Sequence, residues 1–373
     1  MKDSNSGMDV ASMEIKPDLP AKAPWLSRRG LLQRGSMLAL AVPGLSLFLA
    51  SCDRKSSSDA KKDEHGTGHD AGMSHDAAAG ADMVTPEIAA QAPSAKLTRF
   101  DPQLPPPPAD GVLNLHWKST ELALRVSPNT VVPAWTFEDN IPGPLVHCRV
   151  GDTVNFSLTN TTLMPHSMDF HAARLDPKTA FRSVAMGQTH SYSFNPRRAG
   201  AFLYHCGVEP MLLHIGAGMF GAMIVSPKEP LPPAREFVLI QNEYYLGAAV
   251  QGVQPFVFGK MLSASPDMLA FNGRPDQYSR EPIKVKKGER VRFWVVNAGP
   301  TLPCAFHVVG EQFETVYIGE PPTSAIHGVQ TWAVPAGGGM GFDLMCDNAG
   351  TFPFVNHAMG HGQKGAMGLL VVE

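Results

Sequence analysis

The sequence predicts an all-β protein built as two tandem Greek-key β-sandwich domains, on three observations. Composition comes first: 43% hydrophobic and 17% charged residues, with 33 prolines and 35 glycines, suit many short strands joined by turns. Second, stretches such as "DTVNFSLTN" and "ERVRFWVVN" alternate apolar and polar positions, the period of antiparallel strands. Third, these two stretches are copies of each other within an internal repeat. A formal net charge of −3 leaves no basic field to hold nucleic acid, so that class of partner is excluded.

Residues 1–51 read as an export signal. Arg28 and Arg29 precede an apolar stretch from Met37 to Ala50, too short for a transmembrane helix, and the segment ends in "LASC". The arginine pair resembles a Tat signal and "LASC" resembles a bacterial lipobox. Cleavage before Cys52 would leave a lipidated cysteine, tethering the mature protein to a membrane in the periplasm or cell envelope. Residues 52–108 are rich in Ser, Lys, Asp, Ala and Pro, end in "PPPP", and are expected to be a disordered tether. Within them His65, His69, Met73 and His75 read as part of a solvated linker, with loose metal binding as the alternative.

The folded part divides into residues 109–230 and 231–373, joined by the proline-rich "EPLPPAR" from Glu229 to Arg235. A single large β domain is the alternative. "VGDTVNFSLTNTTLMPHSMDFH", from Val150 to His171, aligns with "KKGERVRFWVVNAGPTLPCAFH", which ends at His307. "AGAFLYHC" from Ala199 aligns with "AGTFPFVN" from Ala349, and "GAMIV" from Gly221 resembles "GAMGLLVV" from Gly365. In this alignment Asn356 replaces Cys206, and His307 is the expected equivalent of His171.

Cys206, His214 and Met219 form a Cys-x7-His-x4-Met run, and His166 lies at an earlier strand end. Two imidazoles, a thiolate and a thioether are the donor set of a blue-copper electron-transfer site. Successive strand side chains point to opposite faces, so His205 must aim away from a metal held by Cys206. His166 and His171, five apart, also face opposite ways if extended. His171 therefore joins His205, with Asp169 on the same face, as an incomplete second site. His307 and His357 are candidates to complete it across an interface in a closed ring of subunits. The remaining cysteines, Cys148, Cys304 and Cys346, show no CxxC pair and are expected to be buried and free, a 148–346 or 304–346 disulfide being the alternative.

Taken together, "MPHSMDFHAA", "LYHCGVEPMLLHIGAGMFGAMIV", "FHVVGE" and "FVNHAMG" resemble, in order and spacing, the copper-containing nitrite reductases. The resemblance covers nearly all of Gly111 to Glu373 and implies two cupredoxin-like domains. It further implies that His166, Cys206, His214 and Met219 bind a type 1 copper, and that His171 and His205 bind a type 2 copper with His357 of a neighbouring subunit in a homotrimer. Two coppers per chain follow. Asp169 and His307 become the proton-handling pair, and Thr331, in "QTW", helps to orient the catalytic histidine. The substrate implied is nitrite, and the electron donor is a cupredoxin or a c-type cytochrome. His361 and Met359 depart from the pattern of relatives and leave access to the second copper, or an alternative ligand, open. His116, His147, His190 and His327 belong to no motif and read as surface or core residues. Two rival readings remain. A two-domain multicopper oxidase would need His-x-His pairs, which the chain lacks, and a non-catalytic blue-copper carrier would need neither Asp169 nor His307.

Overall fold

A computed structural model describes residues 82–373. The export signal, Cys52 and the histidines of the tether lie outside the described residues. No described helix is long and apolar enough to cross a membrane.

The first domain contains β1 (Val112–Ser127), β2 (Thr130–Phe137), β3 (Val146–Arg149), β4 (Thr153–Asn160), β5 (Asp169–Phe170), β6 (Thr189–Phe194), β7 (Gly200–His205) and β8 (Phe220–Ser226). They form two sheets, ordered β2-β1-β4-β6 and β3-β8-β7-β5. β4 alternates as its sequence requires: Val154, Phe156 and Leu158 are buried and the residues between them are half-exposed.

The second domain contains β9 (Arg235–Tyr244), β10 (Met268–Phe271), β11 (Ile283–Val285), β12 (Arg290–Gly299), β13 (Cys304–Val308), β14 (Phe313–Tyr317), β15 (Ala325–Val329), β16 (Thr331–Val334), β17 (Gly339–Met345), β18 (Gly350–Asn356) and β19 (Met367–Val372). Its sheets run β10-β9-β12-β17-β14-β15 and β11-β19-β18-β13-β16.

β12 does not behave like its copy β4. Val291, Phe293 and Val295 enter the core of the second domain, whereas Trp294, Val296 and Ala298 join the core of the first. The larger sheet is thus covered on both faces, and nearly every residue of β9 and β12 is buried. This arrangement buries Arg292 as well. Its guanidinium is 2.7 and 2.8 Å from the two oxygens of Asp343, both side chains are at most 2% exposed, and Glu236 lies 3.3 Å away. A buried charge requires such partners.

Residues 82–108 differ from the expected disordered tether. Thr85 caps the helix Pro86–Gln91, and Ile88 and Ala92 are buried with Ala123, Val131 and Val253. The Phe100 N–H donates to Gln277 Oε1 at 2.9 Å, and the Val238 N–H donates to the Pro102 carbonyl at 2.7 Å. A few apolar residues and paired backbone groups suffice to dock the segment, which a polar average composition concealed. The four described cysteines are buried and free.

The repeat holds in three dimensions, with two changes of register from the sequence alignment. Cys206 donates its N–H to the Met219 carbonyl, and Asn356 donates its N–H to the Ala366 carbonyl. Cys206 and Asn356 are therefore counterparts, which also pairs His205 with Val355. Across the ladder Asp169 faces His205, and His307 faces Val355. His307 is thus the counterpart of Asp169, not of His171 as the alignment expected; the position of His171 falls at Val309. The span Asn297–His307 is one residue longer than Asn160–Asp169, whereas a match to His171 would need it one residue shorter than its copy, so the two readings differ by two residues. Likewise Gly221 pairs with Tyr204 as Gly368 pairs with Phe354, so Gly368, not Gly365, matches Gly221. A Cβ at either glycine would overlap the facing ring.

Candidate metal centres

The first centre is assembled by loops at one end of the first sandwich. His166 is held by reciprocal backbone bonds to Val184, Cys206 directly follows β7, His214 sits on the one-turn helix Met211–Gly216, and Met219 directly precedes β8. Gly218, with φ +122°, permits the turn: a side chain there would meet the Trp135 carbonyl at 2.9 Å.

His166 Nδ1 and His214 Nδ1 are 3.2 Å apart, and Cys206 Sγ lies 3.3 Å from the latter and 3.9 Å from the former. All three residues and Met219 are fully buried. Burial pushes His166 down to about 3, reinforced by the neighbouring His214, and pushes His214 down to about 4, so both rings are neutral near pH 7. The Nε2 atoms of both rings are buried without a hydrogen-bond partner, and the Nδ1 atoms converge on a sulfur. Neutral imidazoles so arranged leave buried polar atoms unsatisfied. A metal accepting both Nδ1 lone pairs and the sulfur gives the convergence a purpose, and the donor set fits copper. Burial raises the Cys206 thiol, an effect opposed by the backbone N–H groups of Val208 and Ser167 that point at the sulfur, the latter at 3.4 Å. These N–H donors favour the thiolate that a metal requires. Sequence reasoning missed them, because a backbone donor has no residue signature. It also missed Trp135, whose ring packs 4.9 Å from that of His214 and 5.7 Å from that of His166.

The second group lies on the opposite face of the same strand. Ligand atoms of Asp169, His171 and His205 fall within 4.8 Å of one another, and the Nε2 atoms of the two histidines are 3.1 Å apart. His205 Nδ1 is 2.9 Å from the Cys206 carbonyl, so that nitrogen carries the proton and Nε2 presents its lone pair. Burial lowers the His171 pKa, helped by His205 and opposed by Asp169 and by the backbone of Gly337. The ring pair can hold a metal, and the carboxylate can accept or deliver a proton beside it.

A third group stands on the second domain. The rings of His307 and His357 are 5.3 Å apart, His307 Nδ1 donates to the Gln330 carbonyl at 2.6 Å, and Thr331 faces His307 across the β13–β16 ladder. His357 is exposed, and among the described residues it belongs to no convergent group of three ligand-type side chains. Within one chain, then, the structure assembles Asp169, His171 and His205, and separately His307, His357 and Thr331. The motif-free histidines are otherwise engaged: His116 with Ser157, His147 with Ser226, His190 with the Ala180 carbonyl and His327 with Thr315.

Two fused cupredoxin-like sandwiches, of which one carries a His, Cys, His and Met donor set, define a two-domain copper protein of the multicopper oxidase class. Family models described as multicopper oxidase match residues 120–230 and 253–373. The copper-containing nitrite reductase of Neisseria meningitidis serogroup A is 34% identical over 290 residues, 74% of this chain and 74% of that protein. A solved copper nitrite reductase from Nitrosomonas europaea superposes with a TM-score of 0.66 at 34% identity, covering 70% of this chain and 94% of that one. A solved multicopper oxidase gives a TM-score of 0.64 at 27% identity, covering 77% of this chain and 99% of that one. The chain belongs to the copper-containing nitrite reductase family.

Proposed function

We propose that the protein reduces nitrite to nitric oxide and water, consuming one electron and two protons, with its two metal groups acting in series. The observation that carries this reading is the adjacency of His205 and Cys206, whose side chains enter different groups. Their shared peptide is the shortest covalent path between the two centres. His166, Cys206, His214 and Met219 would hold the first copper; His171 and His205 would hold the second together with His357 of a neighbouring subunit, giving two coppers per chain in a homotrimer. When bound, the first copper relays one electron and the second polarises nitrite as a Lewis acid.

The remaining chemistry falls to the chain. Asp169, beside the His171 and His205 rings, is placed to hydrogen-bond a nitrite oxygen and deliver a proton. His307, fixed through Nδ1 by the Gln330 carbonyl, presents Nε2 as the second proton-handling atom, with Thr331 beside it in the ladder. That His307 occupies the repeat position of Asp169 supports the pairing: across a subunit boundary, equivalent strand positions of the two domain types would face one pocket. An electron carrier has no use for a carboxylate at a second histidine pair, which favours the reductase over that alternative. A cupredoxin or c-type cytochrome is the donor class, and lipid on Cys52 would hold the trimer at a membrane facing the periplasm or cell envelope.

The test is complementation. His171→Ala and His357→Ala should each abolish nitric oxide formation from nitrite, and mixed trimers of the two should recover part of it, since some interfaces regain both intact halves. Recovery absent from verified mixed trimers would contradict a site shared between subunits.

A further inference from the structure

Position by position, the second domain repeats the loops of the first copper centre with its donor set broken. Cys206 Sγ receives the backbone N–H groups of Ser167 and Val208. Asn356 Oδ1 receives those of Ala305 and Ala358, each at 3.1 Å, and these are the residues at the matching positions. The match extends further along the loop. Met219 donates its N–H to the His214 carbonyl at 3.1 Å, and Ala366 donates its N–H to the His361 carbonyl at 3.3 Å. His361 is therefore the counterpart of His214. Its Nδ1 lies 3.2 Å from Asn356 Nδ2, where the first domain has 3.3 Å between His214 Nδ1 and Cys206 Sγ. Cys304 stands at the position of His166, Asn356 at that of Cys206 and Ala366 at that of Met219, so of the four donors only the His214 imidazole is kept in kind, as His361, and the cradle remains.

We propose that Asn356 and His361 are positioning residues for the second metal site, their hydrogen bond replacing a metal as the tie that holds the turn carrying His357. The inference rests on the reading of His357 as a ligand shared between subunits. Asn356 is fully buried and saturated: Oδ1 accepts two N–H groups, and Nδ2 is shared among Gln241 Oε1 at 2.8 Å, the Pro303 carbonyl at 3.1 Å and His361. His357 is consequently pinned on both sides. Its own N–H donates to the Ala305 carbonyl at 2.7 Å, and the next N–H, of Ala358, donates to Asn356 Oδ1. His361 closes the arrangement from the helix Met359–Gln363. The four partners from Ala305, Ala358, Gln241 and Pro303 orient the amide with Nδ2 towards His361, so His361 Nδ1 is the acceptor in this contact and is not a ligand of the second copper through that atom.

The test compares His361→Phe, which removes the acceptor, with His361→Asn, whose Oδ1 can take the place of Nδ1. In metal-free protein, hydrogen exchange at the His357 and Ala358 amides should accelerate at least tenfold in His361→Phe and return towards the parent rate in His361→Asn. In copper-loaded trimers, the affinity of the second site should fall about 10- to 100-fold in His361→Phe, as for other residues that orient a ligand, while the first copper's absorption is unchanged. Asn356→Leu should show the same two effects; if it fails to fold, the His361 pair still decides. Parent-like exchange and copper retention in His361→Phe would overturn the proposal. If the parent protein holds no second copper, the reading of His357 as a ligand fails, and the exchange experiment alone judges whether His361 holds the turn.

Discussion

His205 and Cys206 are neighbours in the chain that serve different centres: Cys206 Sγ lies 3.3 Å from His214 Nδ1, and His205 Nε2 lies 3.1 Å from His171 Nε2. The alternation of a strand does this without further machinery. The Cys206 carbonyl also accepts from His205 Nδ1 at 2.9 Å, so the residue that carries the sulfur sets the tautomer of the histidine in the other group.

Removing the sulfur should separate the two centres. Cys206→Ala is expected to lose the intense blue absorption and all turnover with an external electron donor, while keeping one copper per chain and its response to nitrite. Optical absorption and copper counting check this.

Replacing the carboxylate should leave the colour intact. Asp169→Asn is expected to retain both coppers and lower nitrite turnover about 10²- to 10⁴-fold, the usual contribution of a positioned acid or base. Steady-state nitric oxide production measures it; full activity would remove Asp169 from the mechanism.

The buried imidazoles make the metal-free protein sensitive to acid. Burial holds His166 near 3 and His214 near 4 in the folded chain, whereas both titrate near 6.5 when unfolded. Between those values the unfolded chain binds more protons, so stability is intact above about pH 6.5 and falls as pH drops towards 4. Each histidine contributes a slope of up to about 1.4 kcal/mol per pH unit. Urea titrations of metal-free protein should show the decline, and His166→Phe should flatten it.

The larger sheet of the second domain carries a buried ion pair between β12 and β17. Asp343→Ala leaves the Arg292 guanidinium without its closest partner and should cost about 3–5 kcal/mol in denaturant unfolding, whereas replacing both residues by apolar ones should cost less.

Much of this was legible in the residues. "DTVNFSLTN" alternates because β4 has one buried face, and Cys206, His214 and Met219 declare themselves by donor type and spacing. β12 was harder, because a strand covered by a core on each side differs from a half-buried one only in which of its residues are large and apolar, and Arg292 masks the difference. The position of His307 was misassigned by two residues, because matching the two histidines requires a loop one residue shorter than its copy, whereas the loop is one residue longer. Residues 82–108 carry too few apolar side chains to stand out, yet Ile88 and Phe100 are enough to dock them. The backbone donors around Cys206 and Asn356 leave no trace in the sequence and become visible only when the two loops are compared atom by atom.

The central claim is that two distinct coppers act in series on nitrite, and electron paramagnetic resonance of the copper-loaded protein, with and without nitrite, tests it most directly. The account predicts two copper signals, of which nitrite perturbs only the one belonging to the His171 and His205 group. A single signal that nitrite leaves unmoved would contradict it.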